Sequence, residues 1–262
     1  MTNRKEGKLA GKTALVTGGS RGIGRAIVER LAADGAGFIG VHYANHPDAA
    51  AEVVNAANVL GAHAVALHTE FTPDGRGASQ ALWSEYARTA TEKLGTAELD
   101  ILVNCAGVAP LATLKDTKVP LYDEVLSINL TAPFFLIQAA SPYIRRGGRI
   151  INLSSALTRI AAPSRAIYAA SKGAINTLTL ALAAEYGARG ITVNAVAPGV
   201  IDTDMNSGWL NHAQERAQAE SMSVLARVGQ RDDVADVVAF LASDDSRWIT
   251  GQIIDVSGGT AL

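Results

Sequence analysis

Tyr168 and Lys172 stand four residues apart in "YAASK", inside a stretch rich in alanine, leucine and threonine. On a helix that spacing puts both side chains on one face. A free phenol has a pKa of about 10 and exchanges protons poorly near neutrality. An ammonium beside it favours phenolate and brings the proton into a working range. A carbonyl that receives hydride needs such a group, because negative charge builds on its oxygen. Each ~1.36 kcal/mol taken off the barrier is worth about tenfold in rate, so one well-placed donor matters. Ser154 and Ser155 follow the run "RIINL", and Ser155 lies thirteen residues before Tyr168. Its hydroxyl can hold the same oxygen beside the phenol. Alone, a Tyr-x-x-x-Lys pair suits any amphipathic helix surface, so its weight comes from the elements around it.

The first of these is "TGGSRGIG", residues 17–24, directly after the apolar run Ala14-Leu15-Val16. Gly18, Gly22 and Gly24 let the chain turn sharply and let a ligand touch bare backbone. A helix beginning near Ile23 aims unpaired N–H groups and partial positive charge at that point, which suits a pyrophosphate. The spacing is Gly-x-x-x-Gly-x-Gly rather than the usual dinucleotide fingerprint. Seven short apolar runs read as strands: "TALVT", "GFIGVH", "AVALH", "LDILVN", "RIINL", "ITVNAV" and "QIIDV". Several are apolar on both parities, as strands buried on both faces should be. Helical spacing fills residues 24–33, 49–60, 79–94 and 169–186 between them. Strand–helix alternation of this kind implies right-handed crossovers. The expectation is an α/β, Rossmann-type doubly wound parallel sheet of about seven strands, helices on both faces, in one domain spanning 1–262. Residues 202–229 break the rhythm and read as a lid over a site.

Of 262 residues, 48% are hydrophobic and 18% charged, which is a globular composition. Lys plus Arg is 23 against 25 acids, a net charge of -2, so nothing suggests a nucleic-acid or membrane partner. The one cysteine, Cys105, excludes an intrachain disulfide and reads as a small packing residue. His42, His46, His63, His68 and His212 lack metal-motif spacing, and no metal is expected. A polar N-terminus and the lack of a long uncharged apolar run point to the cytoplasm.

Taken in order, "TGGSRGIG", "NCAG" (Asn104 to Gly107), "SINL" with Asn129, "YAASK" and "PGVIDT" resemble the motifs of the short-chain dehydrogenase/reductase family. The likeness covers nearly the whole chain. The second residue of "NCAG" departs from the family's asparagine. The resemblance implies a catalytic set of Asn129, Ser155, Tyr168 and Lys172, selecting Ser155 over Ser154. Lys172 would also bond the nicotinamide ribose, and Asn129 would support a proton relay. It implies a cofactor site of Gly18, Ser20, Arg21, Gly22, Ile23 and Gly24 in the loop, then Tyr43, Asn45, Glu70 and Phe71 at the adenine end. Asn104, Ala106 and Gly107 would form the floor, and Pro198, Gly199, Ile201 and Thr203 would hold the nicotinamide end. "HTEFT" is bulkier than the relatives' Asp-Val at the adenine contact. A homo-oligomer, most often a tetramer, is implied as well.

The expected cofactor is NADP(H), with NAD(H) possible. "GVHYANHPD" carries no carboxylate before Asp48 to bind a ribose 2′-hydroxyl or repel a 2′-phosphate. Arg21 can supply the positive charge, and His42 can line the same pocket. The resulting expectation is hydride transfer between nicotinamide and a carbonyl or alcohol, closest to the 3-oxoacyl-carrier-protein, polyketide and naphthol reductases. Met205, Trp209 and Leu210, with Met222 and Leu225, would make an apolar lid for a hydrophobic ketone. A dinucleotide sensor without turnover is the alternative, and an intact Ser155, Tyr168 and Lys172 set speaks against it.

Overall fold

A computed structural model describes residues 7–262. The seven apolar runs form seven parallel strands: β1 Thr13–Val16, β2 Phe38–Tyr43, β3 His63–His68, β4 Leu99–Asn104, β5 Ile144–Leu153, β6 Thr192–Pro198 and β7 Ile253–Val256. Their order in the sheet is β3-β2-β1-β4-β5-β6-β7. Successive strands first march one way from β1 and then, from β4, the other. The crevice between β1 and β4 is therefore the topological switch point, where open α/β sheets bind ligands.

Side-chain parity along the central strands feeds two cores, because alternate residues face opposite sides of a sheet. Val16, Ile39, Val41, Ile101 and Val103 pack under α1 (Gly22–Ala33), α2 (Pro47–Val59) and the later α9. Leu15, Phe38, Leu102 and Ile150 pack on the other side against Leu82, Tyr86 and Leu136. That side is covered by α3 (Gly75–Leu94), α5 (Ala132–Ala140) and α6 (Ala166–Tyr186). Before α5 come the short α4 (Val119–Leu126) and one π-helical turn, Ser127–Thr131. By length and composition the continuous helical stretch Val119–Tyr143 passes for a membrane span, with mean hydropathy 1.3 and 44% of that window buried in the protein. Packing of α5 on α3 accounts for its apolar character.

Several boundaries differ from the sequence reading: α3 begins at Gly75 rather than 79, and two others show why. β5 begins at Ile144, five residues before "RIINL", and its register against β4 shifts between Leu99 and Ile101. Arg145, Arg146, Gly147 and Gly148 look like a turn, but Arg145 pairs with Glu98 at 3.0 Å and keeps the segment beside β4. α6 starts at Ala166, so Tyr168 sits within the first turn of the helix rather than just before it.

Residues 202–229 fold as α7 (Asp204–Leu210) and α8 (Ala213–Met222), ahead of α9 (Arg231–Ala242). The excursion is tied at its base. Asp202 N donates to Gly229 O at 2.8 Å, Gly229 N donates to Val200 O at 2.9 Å, and Arg216 reaches Asp202 at 2.7 Å. Leu210, Ala219 and Val228 give it a small core of its own.

Candidate active site

A cleft of about 740 Å³ opens along the C-terminal ends of the strands, centred on the β1/β4 switch point. One end is backbone. Gly18 and Gly22 have φ of +64° and +54°, a region that disfavours any side chain. A Cβ on Gly24 would lie 2.0 Å from Gly18 O, so only glycine lets α1 close onto the turn. Arg21, at the N-cap of α1, makes no side-chain capping bond, which leaves the first helical amides to a ligand. Thr17 Oγ1 accepts from Cys105 N at 2.9 Å and Ala106 N at 3.0 Å, locking the turns after β1 and β4 together.

His42, at the end of β2, ties this cradle to its neighbour. Its Nδ1 accepts from Gly18 N at 3.0 Å, which leaves the proton on Nε2 to donate to Thr69 O at 2.9 Å. The ring stacks on Phe71 with centroids 4.6 Å apart. Burial pushes its pKa down to about 4, against the opposing bond to Thr69.

At the other end of the cleft, Ser155 leaves β5 while Tyr168 and Lys172 project from α6. Lys172 Nζ donates to Leu153 O at 2.7 Å and lies 5.9 Å from the centre of the Tyr168 ring. Burial lowers the Lys172 pKa to about 8, with Cys105 opposing. The same burial pushes the Cys105 thiol up to about 12, so it is no nucleophile near neutrality. The Tyr168 phenol is raised by burial, and the groups that pull it down are the Ser155 hydroxyl and the Arg165 guanidinium. Lys172 is not among them, because with a pKa of about 8 it is already neutral where the phenol titrates; at lower pH its ammonium is the cation that a phenolate meets. The net result is a neutral, proton-bearing Tyr168 at physiological pH, the form that a general acid requires.

The cleft also fits an extended dinucleotide: a glycine-rich turn with free helical amides at one end, and at the other a hydroxyl, a phenol and an ammonium. The family model described as "Enoyl-(Acyl carrier protein) reductase" matches residues 18–261. The short-chain dehydrogenase/reductase family is where this chain belongs. It is 39% identical to versicolorin reductase stcU of Emericella nidulans over 270 residues, covering 99% of each chain. It is also 39% identical to 3-oxoacyl-[acyl-carrier-protein] reductase FabG of Staphylococcus aureus over 250 residues, covering 95% of this chain and 97% of that one. Among solved structures, the angucycline C-6 ketoreductase LanV with bound NADP superposes with a TM-score of 0.92 at 44% identity, covering 98% of each chain.

For a short-chain dehydrogenase/reductase, most of the sequence-derived site residues converge. Gly18, Ser20, Arg21, Gly22, Ile23, Gly24, Tyr43, Asn45, Glu70, Phe71, Ala106, Gly107, Pro198, Gly199, Ile201 and Thr203 all line the cleft with Ser155, Tyr168 and Lys172. Met205 and Trp209 line it from α7, and Met222 from α8. Three do not. Asn104, expected in the floor, lies behind the wall and donates to Asn152 Oδ1 at 2.9 Å, which continues to Thr179 on α6. Asn129, in the π turn, is fully buried; it accepts from Val108 N at 2.9 Å and donates to Val108 O at 2.9 Å. Leu210 is buried in the small core of the excursion instead of facing the cleft. Leu225, too, lies outside the main cleft and is 63% exposed. The sequence reading missed the His42 bridge, the Thr17 lock and Arg165. Only Arg165 had a local signal, being one helical turn before Tyr168.

Lys172 makes a pH prediction. Its ammonium is present below about 8 and lost above it. The value of kcat/KM for carbonyl reduction should therefore fall as pH rises past about 8, because the phenolate formed on proton donation loses its cation. Initial rates across pH 6 to 10 (approximate limits) at saturating cofactor check this; a profile flat through that range contradicts it.

Proposed function

We propose that the protein is an NADPH-dependent ketoreductase acting on a carbonyl of an apolar, flat ketone of the aromatic-polyketide class. The observation that carries this reading is the meeting of Ser155, Tyr168 and Lys172 at one end of a cleft whose other end is the glycine cradle. The relatives support the substrate class: versicolorin reductase, a probable tetrahydroxynaphthalene reductase, and LanV solved with NADP and rabelomycin. Leu157, Ile160, Met205, Trp209 and Met222 give the substrate end an apolar lining, and residues 202–229 serve as its lid.

The glycine turn at Gly18, Gly22 and Gly24, with Lys172 at the other end of the cleft, would hold the dinucleotide, which would supply the hydride for the carbonyl carbon. As the C=O π electrons move onto oxygen, Ser155 holds that oxygen and Tyr168 gives it the phenolic proton, leaving an alcohol. The phenolate left on Tyr168 is stabilised by Lys172 and Arg165 until solvent returns a proton. Asn129 acts indirectly, by fixing Val108 at the wall of the site. At the adenine end Arg21 receives the 2′-phosphate; in this structure it reaches Asp204 at 3.9 Å with half its side chain exposed.

Two measurements test the reading. NADPH consumption with a panel of aryl ketones should show turnover, whereas binding without turnover on any of them would favour the sensor. Arg21→Ala should weaken NADPH binding by about 10- to 100-fold, the worth of a charge-assisted phosphate contact, and change NADH binding by less than about threefold. Equal losses for both cofactors would remove Arg21 from the 2′-phosphate. We also propose a cytoplasmic homo-oligomer, a tetramer by family likeness, using the exposed Phe134 of α5 and Leu180 of α6. A monomeric mass by light scattering at all concentrations excludes it.

A further inference from the structure

In the reaction just described Arg165 serves only to stabilise the phenolate of Tyr168. It is the N-cap residue of α6, one turn before the phenol, and lines the same cleft. It is half-buried. Its Nη1 donates to Ala109 O, and the strand-like contact Ala112 N to Ser164 O at 2.8 Å holds that wall in place. A guanidinium offers five N–H donors in a rigid fork, and this contact engages one of its nitrogens. Among the described residues no carboxylate lies within 4.0 Å of it, and of the acids that line the cleft, Glu70, Glu124 and Asp204, none pairs with it. The rest of this end is apolar: Leu157, Ile160, Trp209 and Met222. Burial lowers the Arg165 pKa, the mark of a cation whose water has been removed without a full counter-charge.

A cation with N–H donors to spare therefore lines a substrate end with apolar walls. A neutral hydrocarbon ketone would bring no partner for those donors, at the cost that buried donors carry. A substrate bearing an ionised oxygen besides its reacting carbonyl would supply one. We propose that Arg165 is the specificity-determining anion receptor of the substrate site and selects ketones that carry a second, singly ionised oxygen, a phenolate or a carboxylate. The proposal rests on the ketoreductase reading for its substrate and deepens it. A fixed cation one turn from Tyr168 also sets orientation: the ionised oxygen is drawn to Arg165, which leaves the carbonyl to Ser155 and Tyr168.

Three probes test it: α-tetralone, a nitrophenol-bearing α-tetralone ionised at neutral pH, and a carboxy-α-tetralone. The measured quantity is the ratio of kcat/KM for each ionised probe to that for neutral α-tetralone. Arg165→Gln should cut the ratio by about tenfold or more, mostly through KM, and Arg165→Lys should restore part of it. Taking the ratio cancels any effect of Arg165 on Tyr168 itself. A merely structural role lowers all three rates together and leaves the ratio unchanged, which overturns the proposal. If only the nitrophenol or only the carboxylate probe responds, that result identifies the ionised oxygen.

A second readout does not need turnover. The bound nitrophenol absorbs differently in its two protonation states, so its titration can be followed in the complex with NADPH. In the wild-type protein it should titrate at lower pH than in Arg165→Gln. Identical titrations, or no binding of the probe to either protein, overturn the proposal. Turnover of none of the ketones with a normal titration shift would instead count against the ketoreductase reading and leave the anion receptor standing.

Discussion

Tyr168→Phe is expected to lower kcat/KM for ketone reduction by about a thousandfold, or roughly 4 kcal/mol of barrier. The substitution removes one oxygen and keeps the ring, so the packing of α6 against the site is preserved. What disappears is the one neutral acid placed beside the Ser155 hydroxyl. Burial raises the phenol's pKa and keeps it protonated, while Ser155 and Arg165 limit how far it rises. Lys172 then meets the phenolate when the proton leaves. Cys105, its thiol pushed up to about 12, does not replace that proton near neutrality. Binding of NADPH, followed by its fluorescence, should change less than about threefold, because the cradle lies at the opposite end of the cleft. A variant that retained a tenth or more of the wild-type rate would show that the proton comes from elsewhere.

The second large effect is acid sensitivity centred on His42. Its pKa is about 4 in the folded protein, against about 6.5 in an unfolded chain. Folding therefore favours the neutral ring, and this contribution is fully present above pH ~6.5 and lost as pH falls through about 4. A gap of about 2.5 units corresponds to roughly 3 kcal/mol. The groups that face the ring explain the gap. Gly18 N–H needs an acceptor on Nδ1, which protonation removes. Burial is the largest cause, with Phe71 covering one face of the ring, and the neighbouring His68 adds to it. Only the contact with Thr69 O suits both forms of the ring.

Urea denaturation near neutrality and near pH 4 should show that loss, and NADPH affinity should fall with it, since Gly18 belongs to the phosphate cradle. His42→Leu should be less stable than the wild type near neutrality, because it orphans Gly18 N–H and Thr69 O, yet it should lose less stability on acidification. An equal acid loss in both proteins would place the sensitivity at another group.

The strands were legible because a parallel sheet buries both faces, so each strand must be apolar on both parities. The first half of β5 was not. Two arginines and two glycines carry no strand signal, and that segment extends only because Glu98 and β4 lie beside it. The glycine cradle and the Tyr168–Lys172 pair were legible for a local reason, since each depends on residues within one turn or one helix face. Asn104 shows the limit. It ends the right strand, but strand parity points its side chain at Asn152, away from the cleft. Likewise Leu210 has the right composition for a lid and the wrong side of α7 to line a cleft.

The sequence by itself determined the alternation of elements, the site of bare backbone after β1, and a phenol, an ammonium and a serine fit for carbonyl chemistry. These follow from short-range rules of periodicity, backbone freedom and acid–base strength. Tertiary structure alone decided that His42 bridges Gly18 and Thr69, because β2 lies between β1 and β3 in the sheet. It alone decided that Arg165 lies close enough to Tyr168 to draw the phenol's pKa down. Burial and the distances between charges set both outcomes, and neither exists until the chain has folded.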